Sequence, residues 1–194
     1  MDYKDLQKYL EQVRFQLNVF DNFPTIRVPN GMGSGFILDY KGRSFFVTAD
    51  HVVNTHDNGR RLINRARMIA IQTNVISGNS SAIIPLGGFN YFSKFILEEG
   101  TLTDETLIDA AYCELTTKNI NDINTYCKTA NPDISVHEEK LHIPSDSITS
   151  ANLEDTYTTY GDVKGDLVPF HGTMQLRSIP KFHTGLKFVC EKNQ

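Results

Sequence analysis

The stretch at residues 31–53 constrains the fold most, because it holds two short apolar runs separated by a polar turn. It reads GMGSGFILDYKGRSFFVTADHVV. Residues 35–38 and 44–48 are rich in aromatic and branched side chains, which is typical of strands, and residues 39–42 end in glycine, which suits a chain reversal. The second run continues directly into His51. We therefore expect a β-hairpin that holds His51 at the rim of a strand, where a general base would be rigidly placed.

A histidine after an apolar strand is usually only a half-buried side chain, so the whole string matters more than His51 alone. The run G-S-G-F-I-L, the hairpin and F-V-T-A-x-H-V-V together resemble the first catalytic segment of the trypsin/chymotrypsin superfamily of serine proteases. In that family this histidine is the base of a Ser-His-Asp triad. The resemblance implies that role for His51. Asp50 stands where the family mostly has alanine, and we expect it to be tolerated in the first turn of a short helix.

A second segment, residues 103–115, is a polar loop that leads into a strand and places a carboxylate early in that strand. Asp109 follows Ile108 and precedes Ala110, Ala111 and Tyr112. The pattern resembles the family's D-[IVL]-A-[VF]-x-x-L segment, which carries the triad aspartate, and so implies that Asp109 orients His51. An exposed aspartate at a strand start is the simpler interpretation of the same residues. Asp104 and Glu105 are the fallback acids, expected to be solvated loop charges.

The fold class expected from the pattern is all-β, because short strands recur without an alternating strand–helix rhythm. An amphipathic helix is predicted over residues 3–20, where apolar side chains recur every three or four positions. Residues 54–65 are expected to form a loop or short helix, and residues 118–150 a polar connector. Further strands are predicted at residues 25–28, 67–72, 81–86, 155–161, 172–179 and 185–190, and residues 90–97 are a mixed aromatic segment.

The resemblance implies a trypsin-like double antiparallel β-barrel with this helix at its N-terminus. The expected division is an N-terminal helix at residues 1–22, a first barrel at 23–118, and a linker with a partial second barrel at 119–194. The second barrel is expected to be incomplete at its C-terminal end.

The nucleophile is the missing part of the pattern. A trypsin-like site needs a glycine-rich G-x-S-G hairpin for its serine and oxyanion hole, and the sequence has none. Thr184 lacks the preceding glycine, and Cys190 alternates like a core residue of a strand. We therefore expect the nucleophile to lie in a segment beyond Gln194, and the 194-residue chain alone to be inactive and to self-associate or pair with that segment.

Composition excludes several other classes of function. The net charge of −4 and the lack of a basic run give no electrostatic case for nucleic acid or an anionic membrane surface. No apolar stretch approaches the roughly 18 residues of a membrane span, and the polar N-terminus is not a secretory signal. Three scattered cysteines and the histidine pairs 51/56 and 137/142 fit no zinc or disulfide framework. We expect no cofactor, no metal and a cytoplasmic location.

The activity that the resemblance implies is peptide-bond hydrolysis through an acyl-enzyme. His51 would act as general base and then general acid, and Asp109 would fix its tautomer. The alternative is a catalytically inactive trypsin-fold module, a pseudoprotease that binds or regulates another protein. The expected partner is thus a polypeptide substrate or a partner protein.

Overall fold

The computed structural model describes residues 2–20, 29, 31–56, 62–65, 68–72, 83–98, 101–130, 137–150, 152, 154–170 and 173–187. These residues form a mostly antiparallel β structure with few helices, so the prediction of an all-β fold is confirmed. The trypsin-like arrangement of two barrels stays a prediction. The strand predicted at residues 25–28 lies outside the described residues.

The helices of the described chain are short, and the strands range from two to fifteen residues. The helices are α1 (Tyr3–Val13), α2 (Asp50–Val53) and α3 (Thr117–Tyr126), with a 3₁₀ turn at Ser145–Ser147. The strands are β1 (Phe15–Phe20), β2 (Gly31–Tyr40), β3 (Arg43–Thr48), β4 (Asn54–His56), β5 (Leu62–Arg65), β6 (Met68–Gln72), β7 (Ile83–Pro85), β8 (Asn90–Glu98), β9 (Thr101–Glu114), β10 (Lys128–Ala130), β11 (His137–Glu139), β12 (Ile143–Pro144), β13 (Thr156–Phe170) and β14 (Thr173–Lys187).

The main sheet is curled like half a barrel and has the strand order β7-β6-β1-β2-β3-β9-β8. Its neighbours pair antiparallel, whereas β12 pairs parallel with residues 38 and 39 of β2. Because β3 pairs with both β2 and β9, the strand that leads to His51 lies beside the strand that carries Asp109. The sheet thus brings together two segments that are 58 residues apart in the chain.

The predicted hairpin at residues 35–48 is present as β2 and β3. Tyr40 pairs with Arg43 across a two-residue turn in which Lys41 and Gly42 have φ angles of 50° and 74°. Two consecutive positive φ angles match the type I′ turn, whose twist suits a tight β-hairpin. Gly42 adopts its positive φ angle without strain, whereas Lys41 adopts a positive φ angle although it carries a side chain.

Small residues in β2 are required by close packing. A Cβ atom on Gly35 would lie 2.3 Å from both the Phe46 ring and the Val47 carbonyl oxygen. A Cβ atom on Gly33 would lie 2.7 Å from Val52 of α2. The glycines of the G-M-G-S-G run therefore let β3 and α2 approach the strand, which fixes the position of the helical turn that bears His51.

The core cluster packs on one face of the main sheet. Phe46 is fully buried and makes edge-on ring contacts with Phe15 and Phe89, at centroid distances of 6.1 and 6.3 Å. Such contacts add to the hydrophobic stabilisation of large buried rings. The other members of the core cluster are Leu17, Ile37, Val53, Ile69, Ile71, Ile84, Ala111, Cys113, Leu115, Ile123 and Cys127.

The predicted helix at residues 3–20 is wrong in its second half. α1 ends at Val13, and residues 15–20 form β1, the strand between β2 and β6. Leu17 fits the helical stripe and, together with Phe15, also fits the two-residue period of a strand, so the pattern is ambiguous here. Pairing on both edges and burial of Phe15, Leu17 and Phe20 favour the strand.

Three further segments differ from the sequence-based expectation. Residues 54–56 and 62–65 form the paired strands β4 and β5, where a loop or short helix is expected. Residues 103–106 belong to β9 instead of a loop. The connector at 118–150 contains α3, whose capping box joins Thr116 and Asn119 and whose residue Ile123 is fully buried. The burial of one apolar side of α3 against the core outweighs its polar composition.

The part of the chain that follows α3 contributes little to the main sheet. Among its described residues, β10 pairs with β11, β13 pairs with β14, and only β12 joins β2. β13 and β14 form one long hairpin, replacing three shorter expected strands, and residues 188–190 lie outside the described residues. Tyr160 and Phe182 of this hairpin contact Arg14 and Tyr3 of the N-terminal segment. The proposed domain boundaries stay a prediction.

Candidate active site

The first candidate residue, His51, lies in the single helical turn α2 that follows β3. The N-cap residue of α2 is Ala49, which has no side chain able to cap the first N–H groups. Val52 packs against Gly33, and Val53 is buried in the core, so the packing of these two side chains fixes the position of the turn. The His51 side chain is 73% exposed. The ring is therefore accessible although its backbone is held by the sheet.

The second candidate residue, Asp109, lies at an irregularity of β9. Ala111 pairs with Tyr91 of β8, but the next pair along the ladder is Ile108 with Phe92. Two residues of β9, Asp109 and Ala110, thus stand opposite none on β8. Bulges of this kind bend a strand and redirect its side chains, and they are frequent beside functional sites.

The structure brings these two side chains together. His51 Nδ1 lies 2.8 Å from Asp109 Oδ2 and 2.9 Å from Asp109 Oδ1. The backbone N–H of His51 also donates to Asp109 Oδ1 at 3.1 Å. One carboxylate therefore binds both the ring and the main chain of the same residue, which fixes the orientation of the imidazole.

This geometry sets the tautomer of the neutral ring. An ionised carboxylate only accepts hydrogen bonds, so His51 Nδ1 must carry the proton that it donates to Asp109. The opposite ring nitrogen, Nε2, then keeps its lone pair and can accept a proton. The arrangement can therefore act as a general base at Nε2, with Asp109 as the group that stabilises the protonated ring.

The environment of Asp109 favours its charged form. Partial burial opposes ionisation, but the hydrogen bonds from the His51 backbone and ring, the charge interaction with His51 and the Asp50 backbone N–H together lower the pKa of the Asp109 carboxyl. The Asp109 carboxylate, which belongs to β9, thus caps the start of α2. It replaces the side-chain cap that Ala49 cannot provide.

Asp50, the residue that departs from the family pattern, is buried and has a different role. Its Oδ1 accepts a hydrogen bond from Asn54 Nδ2 at 2.6 Å, one turn further along the chain. Asp50 is 4% exposed, as is Asn54. The side chain of Asp50 therefore ties the two ends of α2 together beneath His51, whereas the exposed carboxylate beside the ring belongs to Asp109.

The fallback residues are placed as follows. The backbones of Asp104 and Glu105 lie in β9, Thr184 is exposed on β14, and Cys190 lies outside the described residues. No hydrogen bond from a serine, threonine or cysteine to the His51 ring is present in the described part of the chain. Within the same part, no cluster of three or more metal-binding side chains occurs.

Another histidine–carboxylate contact lies at the far end of the β2–β3 hairpin. His142 Nδ1 is 3.3 Å from both Asp39 oxygens, and Ser44 Oγ donates to Asp39 Oδ1 at 2.6 Å. Here the serine binds the acid and not the histidine, so this cluster lacks the order of contacts that a triad needs. It joins β12 to the hairpin.

Sequence reasoning missed two parts of the site. The bulge that redirects Asp109 arises from the register in which β9 pairs with β8. The residues around Asp109 do not determine that register by themselves. The tie between Asp50 and Asn54 is visible as an i, i+4 polar pair, a spacing at which side chains meet on one helix face. That spacing is the signal that could have revealed it.

Comparisons with protein-family models, curated proteins and solved structures found no match for this chain. The case for a function therefore rests on the geometry of His51 and Asp109 and on the resemblance of their segments. None of the helices in the described ranges is long and apolar enough to cross a bilayer. The cytoplasmic location stays a prediction.

Proposed function

We propose that His51 and Asp109 are the base and the orienting acid of a trypsin-like serine endopeptidase. The observation that carries the proposal is that Asp109 binds His51 twice, at the ring nitrogen Nδ1 at 2.8–2.9 Å and at the backbone N–H at 3.1 Å. These contacts support the tautomer that a triad requires, with Nε2 left as the proton acceptor. The order of the two residues in the chain agrees with the two segments that resemble the family.

In this mechanism His51 Nε2 takes the proton of a nucleophilic hydroxyl as that oxygen attacks the peptide carbonyl. The protonated ring then gives the proton to the leaving amine, and a water molecule repeats the cycle to release the acyl group. Asp109 stays ionised throughout and stabilises the imidazolium, which its lowered pKa favours. The nucleophile is not assigned to any described residue.

A second candidate function is a pseudoprotease, which keeps the fold for binding another protein. It is favoured by the absence, within the described ranges, of a hydroxyl or thiol hydrogen-bonded to the His51 ring. In addition, β13 and β14 pair only with each other among the described strands, whereas a second trypsin-like barrel would need further strands beside them.

The test is labelling with a serine-directed fluorophosphonate, on protein expressed from its natural gene. Single labelling of one serine is expected, with loss of labelling in His51→Ala and a decrease on the order of 10⁴-fold in rate in Asp109→Asn. His142→Gln is the matched control, because His142 also contacts a carboxylate but lies at the other end of the hairpin.

Two results would count against the peptidase proposal. One is the absence of any labelled serine in folded protein, which favours the pseudoprotease. The other is labelling at an unchanged rate in His51→Ala, which would mean that the reactive serine does not use this histidine.

A further inference from the structure

A cleft of about 580 Å³ is lined by Phe36 and Val47, which alternate along their strands with the core residues Ile37 and Phe46, so the cleft lies on the sheet face opposite the core. It borders Asp109, one member of the His51–Asp109 dyad. We name it the outer-face cleft. Its floor comes from β2, β3 and β9, and its walls from α1 and β13, with Ile143 of β12 at the side. Its volume is within the range of about 300–1,000 Å³ that small ligands and side chains occupy in proteins.

The chemistry of the lining favours a neutral, apolar ligand group. Arg14 and Asp109 are the charged residues among those that line it. Arg14 lies over the Tyr160 ring at 5.1 Å, and Asp109 is bound to His51, so both charges are already engaged within the protein. The aliphatic and phenylalanine side chains of the lining are Leu10, Val13, Phe36, Val47, Ala49, Ala110 and Ile143.

The position of the cleft links it to the dyad. Ala49, the residue that precedes α2, and Asp109 both belong to the lining. Ala110, the second residue of the β9 bulge, lines it as well. A group bound in the cleft therefore lies beside the carboxylate that orients His51, and the rest of the same ligand can extend over the exposed ring.

The wall formed by β13 indicates a polypeptide ligand. β13 pairs with β14 along one edge, and no other strand of the described ranges pairs with it. Thr158 and Thr159 of this strand line the cleft. An extended peptide can add main-chain hydrogen bonds along the edge of β13 that faces away from β14 while one of its side chains enters the cleft, as in other cases of strand addition.

We infer that the outer-face cleft binds a large apolar side chain, such as Leu, Met or Phe, of an extended polypeptide that lies across His51. The inference rests on the proposed peptidase function for the identity of that polypeptide as a substrate. Binding in the cleft does not itself need a nucleophile, so the two proposals can fail separately.

The experiment is an NMR titration of the full chain with three probes: N-acetyl-phenylalanine amide, N-acetyl-lysine amide and toluene. The methyl signals of Val47 and Ala110 report on the cleft floor. Thr158→Phe fills the cleft from β13, and Ala110→Leu fills it from β9. Thr156→Phe is the matched control, because it places the same side chain on the exposed start of β13, outside the cleft.

Saturable shifts with the phenylalanine amide are expected, with binding at least tenfold weaker for the lysine amide and for toluene. In each filled variant that keeps a dispersed native spectrum, binding should fall at least tenfold, and in Thr156→Phe it should stay within twofold. Lysine amide that binds equally well, or filled variants that bind like the parent, would overturn the inference. Toluene that binds as tightly as the phenylalanine amide would also overturn it, since the cleft would then suit a free apolar molecule.

The phosphonate experiment separates this inference from the proposed function. Binding without any labelled serine would leave the cleft assignment standing and remove the peptidase. Labelling of a serine without binding of the phenylalanine amide would support the peptidase and remove the cleft assignment.

Discussion

Replacement of Asp109 tests whether its carboxylate caps α2 as well as orienting His51. The side chain is 60% exposed, so solvent screening reduces what its charge contributes to stability. Loss of an N-cap group typically costs about 0.5–2 kcal/mol, and with this exposure we expect about 1 kcal/mol for Asp109→Ala. Asp109→Asn keeps an oxygen that can accept the His51 backbone N–H, so about half of that loss is expected.

The pH dependence gives the sharper test. The pKa of Asp109 is lower in the folded protein than the ordinary value of an aspartate, so its stabilising effect is complete above the unfolded pKa and is lost as the pH falls through the folded pKa. The free energy of unfolding, measured by urea titration between about pH 5 and about pH 2, should therefore fall more steeply in the parent than in Asp109→Asn.

At the acid end of this range the difference between parent and variant should approach zero. A difference that stays constant, or grows, as the pH falls would refute the reasoning. It would mean that the carboxylate is not preferentially ionised in the folded state.

Three further predictions concern packing and the tautomer of the ring. Gly35→Ala should lower the free energy of unfolding, measured by urea titration, by about 1–3 kcal/mol, because the new Cβ would lie 2.3 Å from a backbone oxygen. Gly88→Ala should change this free energy little, because nothing lies within 4 Å of the new Cβ. Ile37→Ala should cost about 2–5 kcal/mol by the same measurement, because Ile37 is fully buried, and a loss below 1 kcal/mol would contradict its place in the core. Long-range ¹H–¹⁵N spectra should show neutral His51 protonated at Nδ1, with a mixture of tautomers in Asp109→Ala; an Nε2–H form in the parent would exclude the proposed base.

The hairpin was predictable because its signals are local. The apolar runs of β2 and β3 lie next to each other in the chain, and Gly42 marks the turn between them. The placement of His51 follows from the end of β3. The proximity of Asp109 was accessible only through the resemblance of its segment, since no local pattern states which strand will pair with β3.

The parts that could not be predicted depend on distant neighbours. Residues 15–20 fit both a helical and a strand period, and pairing with β2 and β6 decides between them. α3 is a different case, since the Thr116–Asn119 capping box and the later Ile123 are a local signal of a helix start that its polar composition obscured. The bulge at Asp109 needs the register of β8, which a reading of one segment does not contain.

The arrangement of the dyad suits orientation better than stability. An ion pair with side chains 73% and 60% exposed contributes little to folding, because water screens it and both side chains lose freedom. Its geometry is instead imposed by the backbone: the bulge aims Asp109 at the start of α2, and the close approach of Val52 to Gly33 fixes that turn. The carboxylate would thus keep its bond to the main chain at residue 51 even without the ring. A preorganised acid beside an accessible ring is the condition under which the ring can exchange protons without first having to be positioned.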